Sequence, residues 1–267
     1  MEKIIYWSRK AYAICIIGIG VQQWALGIIS ANFLPNEYSG NPVYHLLIYP
    51  WGIVFTLSGF ALLLEKKAYE VSLVSAGIFL ALLFFFNIPY FTFFTADRKN
   101  FLEWAPVVQE SSFAGASLIF AASYPNNRSR SAMIRWLEKL IPFGRIFFSV
   151  MLIAYGIDHY LYTKLVATLV PSWIPFPIFW TYLAGTALIA AGVAIILKIK
   201  LKLTGILLAT MIFLWMVTIH LPNVITHHFK MRDIEMSRVF VTFGFTGIAL
   251  LLAFSQEKMN KRYSITS

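Results

Sequence analysis

Asp158 and His159 stand side by side in AYGIDHYLY, residues 154–162. On a helix Tyr155, Asp158, His159 and Tyr162 fall three, four and seven residues apart, so the spacing predicts one polar stripe. A carboxylate next to an imidazole can hold the ring in one tautomer while the ring takes up or gives back a proton near neutral pH. The same pair also fits a plain interhelical hydrogen bond that locks a bundle. His220, in MVTIHLP, completes the candidate catalytic set of Asp158, His159 and His220. Arg145, Tyr155, Tyr162 and Trp173 join it as candidate ligand-binding residues, with Gln22, Gln23 and Asn87 added by the internal alignment below.

Other chemistries find no support. Cys15 is the single cysteine, so the chain alone makes no disulfide, redox dithiol or thiolate metal cage. HLPNVITHHF lacks dedicated ligand spacing, and no metal site is expected from it. No glycine-rich phosphate loop or Ser/His/Asp arrangement appears.

The elements that carry these residues are set by composition. Of 267 residues, 59% are hydrophobic and 13% charged, against roughly 25% charged in a soluble domain. That balance predicts an all-α polytopic membrane bundle, and its net charge of +10 is assigned to residues flanking spans instead of to nucleic acid. Spans of about 20 apolar residues are predicted near 10–30, 44–64, 71–94, 106–123, 143–163, 178–197, 201–221 and 237–255. Six Lys and Arg fall in the turns opposite the termini and 16 of the 22 on the terminal side, which places both termini in the cytoplasm. The first span also resembles a signal anchor, and ISANF is a poor cleavage site, so the span is expected to stay. All five histidines then map to the outer half or outer loops.

Residues 9–35 align without a gap on 145–171, with Arg9 on Arg145, Gly20 on Gly156 and Pro35 on Pro171. Farther on the offset becomes 133, pairing Gly59 with Gly192 and Pro89 with Pro222, and FAGASLIFAAS lies over FTGIALLLAFS at an offset of 132. We expect two parallel four-helix repeats, residues 1–124 and 143–267, joined by a basic cytoplasmic linker, residues 125–142, that lies against anionic lipid. In this alignment Asp158-His159 falls on Gln22-Gln23, and His220 on Asn87. Asp158-His159 is expected to face Gln22-Gln23 of the other repeat.

The connectors are expected to be peripheral. VPSWIPFPIFW suggests a proline-stiffened aromatic belt or a lid over His159, ADRKNFLEWAPVVQE an amphipathic surface segment, and MRDIEMSR a solvated stretch. No interrupted helix is expected to recur in both halves.

From Arg145 to Pro222 the chain resembles the DoxX/DoxD-like family of small four-span membrane proteins. The likeness is carried by FGRIFFSVMLIAYGIDHYLY, where an Arg opens a helix ending in G-x-x-H, by VPSWIPFPIFWTYLAGTALIAAGVAIIL and by LLATMIFLWMVTIHLP. The resemblance implies a repeated four-helix unit and quinone-linked oxidation, as in membrane subunits of thiosulfate:quinone oxidoreductase, or a redox-stress function. It places Arg145, His159, Trp173, Pro175 and His220 on motif positions. Many relatives keep a Glu in the sixth span, where this chain reads GTALIAAG without an acid.

Together these point to a multi-pass protein of a bacterial inner membrane, with an outward pocket for a quinone-like ligand or a quinone-linked oxidoreductase partner. A small-molecule or lipid transporter and a non-catalytic scaffold subunit are the alternatives.

Overall fold

The computed structural model describes residues 1–27, 42–95, 99–124, 131–226 and 229–265, the side chains of 42–47, 229–232 and 256–265 excepted. Pro35, Arg98, the stretch 125–130 and the His227-His228 pair lie outside the described residues, as does the His45 side chain. Helices make up nearly all of what is described: α1 (Glu2–Leu26), α2 (Pro42–Leu63), α3 (Ala68–Leu82), α4 (Ile88–Phe93), α5 (Ala105–Ala122), α6 (Ala132–Glu138), α7 (Gly144–Leu161), α8 (Thr163–Ala167), α9 (Pro177–Ile196), α10 (Leu201–Trp215), α11 (Leu221–Thr226) and α12 (Phe229–Ile265).

Six stretches among the described residues are long and apolar enough to cross a membrane: Glu2–Leu26, Ala68–Phe93, Ala132–Leu161, Pro177–Ile196, Leu201–Thr226 and Asp233–Ser255. Leu57, Phe85, Phe179 and Leu207 are among the large apolar side chains exposed on the outside, where only lipid can cover such a surface. The chain is therefore a multi-pass membrane protein. Two of the eight expected spans are not in that set. Of α2, only Ile48–Leu63 has described side chains, and that part is an apolar helix. In α5, residues 109–121 are buried throughout, so the helix faces protein and carries Gln109, Glu110, Ser111, Ser112 and Ser117 where lipid contact would forbid them.

The main helices form a ring in chain order. α1 packs on α2, α3 on α5, α5 on α7, α7 on α9, α10 on α12, and α12 closes on α1, with lighter contacts from α2 to α3 and from α9 to α10. α5 and α12 touch across the middle. Glycines allow the close crossings. A Cβ on Gly115 of α5 would stand 2.4 Å from Phe148 N of α7, and one on Gly247 of α12 would stand 2.4 Å from Ser8 O of α1. Likewise a Cβ on Gly59 would meet Ile17 Cγ1 at 2.6 Å, and one on Gly192 would meet Ile153 Cγ1 at 2.7 Å.

Local geometry recurs with the same spacing. α3 runs through a wide π-turn, Leu83–Asn87, into α4; α10 runs through Met216–His220 into α11, each boundary 133 residues later. In both, an N–H reaches back five residues, Ile88 to Leu83 O and Leu221 to Met216 O. Pro89 and Pro222 explain the widening, since proline lacks an N–H and its ring clashes with the carbonyl four residues before it. An interrupted helix thus does recur in both halves, against expectation, because the prolines deform the helices without ending them. The turns ahead of α3 and α10 match as well. Glu65, Lys67, Lys198 and Lys200 all take left-handed φ values, from 42° to 59°, and Lys66 N donates to Ala61 O as Ile199 N does to Ala194 O.

Candidate functional site

The polar groups gather toward the end of α7, the Met216–His220 turn and the first half of α12. The π-turn carries His220 off the end of α10. α12 presents Glu235 and Arg238 one turn apart, on one face. His220 Nδ1 lies 2.8 Å from Glu235 Oε2, and Arg238 Nη1 donates to Glu235 Oε1 at 2.5 Å. Glu235 is 2% exposed, and a carboxylate so buried costs several kcal/mol unless it is paired. Here both of its oxygens have partners. The stretch MRDIEMSR is therefore not simply solvated: Glu235 and Ser237 are buried because α12 continues as a helix along the bundle.

His159 belongs to a neighbouring contact. Its Nδ1 is 2.6 Å from Tyr155 O, one turn back on its own helix, and its ring stacks on Trp215 of α10 at 6.0 Å between centroids. The backbone carbonyl, and not Asp158, sets the ring's tautomer. α9 approaches through Gly185, where a Cβ would stand 2.7 Å from His159 Cβ and 3.1 Å from the Tyr160 ring. On the Tyr160 side an open apolar groove of about 530 Å³ runs along α9, lined by Ile189, Val193 and Ile199 with Tyr160 and Thr186. The Tyr160 and Thr186 hydroxyls share a 2.5 Å hydrogen bond.

The stripe on α7 divides between neighbours. Tyr155 donates to Gln109 Oε1 of α5 at 2.7 Å. Tyr162 donates to Asn100 Oδ1 at 2.9 Å and accepts from Phe101 N at 3.2 Å. Both reach the first half, while His159 turns to α10. Asp158 is half-buried; its Oδ1 has no hydrogen-bond partner among the described residues, and Asp158 and Arg238 both act electrostatically on Tyr155.

The remaining candidates lie elsewhere. Gln22 donates to Asp233 O at 2.5 Å and accepts from Ser237 at 2.8 Å, tying α1 to α12. Gln23 donates to Ile48 O of α2 at 3.2 Å. No hydrogen bond among the described residues links either glutamine to Asp158 or His159, so the expected pairing across the halves is not made. Asn87 donates to Glu110 Oε2. Arg145 opens α7, about 21 Å along the axis from His159. Trp173 is exposed in the connector ahead of α9. Arg9, aligned with Arg145, donates to Ser123 Oγ at 2.8 Å and lies 3.7 Å over the Tyr124 ring. Burial pushes the Tyr124 hydroxyl up to about 12, and Arg9 acts in the opposite direction.

Glu235, Arg238, Trp215, Gln109 and Glu110 are absent from the sequence-derived set. Gln109 and Glu110 end the stretch expected to be an amphipathic surface segment, yet both are buried, because α5 is enclosed by α3, α7 and α12. The usable signal for Glu235 was the i, i+3 spacing to Arg238 on the helix that follows His220. Among the described residues no group of three or more His, Cys, Asp or Glu could hold a metal ion.

A family model described as "Domain of unknown function (DUF8561)" matches residues 148–249, from within α7 to within α12. No curated protein and no solved structure matches the chain.

Proposed function

We propose that the chain binds an amphipathic, quinone-like ligand from the lipid phase at the His159 end of α7 and works with a quinone-linked oxidoreductase partner. One observation carries this: His159, stacked on Trp215, packs against Gly185 across from Tyr160, which heads an apolar groove open to lipid. A groove of this size suits the apolar body of a ligand, and its head at Tyr160 adjoins His159, whose imidazole is the group suited to a carbonyl or hydroxyl. His159 exchanges the proton, and Asp158 supplies negative charge nearby. His220, held by Glu235, steadies the turn behind Trp215.

The frame we propose is eight spans in two parallel four-helix repeats, residues 1–124 and 143–267, joined by the basic linker 125–142, in a bacterial inner membrane with both termini cytoplasmic. The matched π-turns, matched left-handed turns and reciprocal glycine contacts support the duplication. The family-model match falls within the second repeat. The DoxX/DoxD-like resemblance of residues 145–222 supports the redox association.

The test is equilibrium binding of a short-chain menaquinone analogue to the purified protein. His159→Ala should raise Kd at least tenfold, about 1.4 kcal/mol. Unchanged affinity in the combined His159→Ala and His220→Ala variant rejects the site.

Transport of a small molecule is the second reading, favoured by proline-widened helices at matching places in the two halves, a pattern that marks substrate sites in repeat-built transporters. Solute flux into proteoliposomes distinguishes it from ligand binding alone.

A further inference from the structure

Glu110 plays no part in the site proposed above. It is 0% exposed, on the most enclosed helix of the bundle. Asn87, at the end of the first π-turn, donates to Oε2, while Oε1 has no hydrogen-bond partner among the described residues. Among the described residues no Lys, Arg or His forms an ion pair with it, and the cation of α7, Arg145, follows Gly144, which packs on Leu118, about two turns along α5 from Glu110. α7 brings Tyr155, which bonds the adjacent Gln109. α12 brings Arg238, which is bound to Glu235. Glu103, in the turn before α5, is exposed, and Glu70 of α3 lies near the other end of that helix. An ionised carboxylate in such a place would have lost its water without gaining a cation, whereas a carboxylic acid carries no charge to desolvate.

We propose that Glu110, gripped by Asn87, is a proton-binding site in the first half of the membrane domain, occupied at neutral pH. The proton comes from water and forms an O–H bond at Oε1; no other bond changes. The contrast with the second half is chemical. There the His220 ring and the Arg238 guanidinium each hold one oxygen of Glu235, and Thr242 stands at the position aligned with Glu110. The proposal does not rest on the quinone reading, since neither Glu110 nor Asn87 belongs to the groove or to the His159 contacts.

Infrared spectroscopy of the full-length protein in lipid, at pH 7, tests this. The wild type should show the C=O stretch of a protonated carboxyl that shifts on exchange into D2O and on incorporation of glutamate labelled with 13C at its side-chain carboxyl. The band should vanish in Glu110→Gln. A spectrum without the band, a band insensitive to the glutamate label, or a band that survives in Glu110→Gln overturns the proposal. The label, read on the wild type, assigns the band to a glutamate, and Glu110→Asp, which keeps a carboxyl and should take the band out of the labelled set without removing it, gives a second variant that assigns it to Glu110.

Discussion

Phe113 of α5 and Phe245 of α12 meet ring to ring, with centroids 5.3 Å apart and planes tilted by 56°. The two are aligned partners in the internal repeat, 132 residues apart. Around them Phe79 stacks on Phe113, and Phe148 sets its edge against Phe245. This contact falls where the two repeats proposed above would face each other, and the glycine contacts on either side are its first test.

Gly115→Ala and Gly247→Ala should each destabilise the protein by about 1–3 kcal/mol, because the new methyl group meets backbone atoms that cannot turn away. Gly77→Ala should cost less, since its Cβ approaches only the flexible end of Leu137, at 3.0 Å. Unfolding midpoints in detergent compare the three.

The left-handed lysines predict a gain. A non-glycine residue in that conformation costs roughly 1–2 kcal/mol, and glycine returns about 0.5–1 kcal/mol of it as chain entropy. Lys198→Gly and Lys200→Gly should therefore raise the thermal midpoint slightly, while Lys200→Val should lower it. Glu65→Gly should gain less, because Glu65 lies 3.4 Å from Lys10.

His220→Ala should cost about 1.5–3 kcal/mol by leaving one oxygen of buried Glu235 without its donor. A double-mutant cycle with Glu235→Ala should give a coupling above about 0.5 kcal/mol. Strict additivity would mean that the pair contributes nothing.

Sidedness is testable on two exposed tryptophans, Trp136 in α6 and Trp173 in the connector beyond α8. With buried Cys15 replaced by Ser, Trp173→Cys should react with a membrane-impermeant maleimide in intact cells, and Trp136→Cys only after permeabilisation. The reverse pattern would invert the proposed orientation.

Much of the frame was legible in the chain. Apolar run length located the helices, and the matches of Gly59 with Gly192 and Pro89 with Pro222 marked points where geometry recurs. The polar site was less legible. Tyr155, Asp158, His159 and Tyr162 do share one side of α7, but that side borders three neighbours, so Tyr155 goes to Gln109, Tyr162 to Asn100 and His159 to Trp215. Glu235 and Glu110 sat in stretches that look solvated by composition, and only their burial made them candidates.

Taken alone, the sequence determined the solvent, the helices and their spacing, because apolar length and proline position act within one segment of chain. Tertiary structure decided the partners: Glu235 with His220, Glu110 with Asn87, Phe113 with Phe245. Helical periodicity assigns a residue to a face, but only closure of the ring determines which helix that face meets.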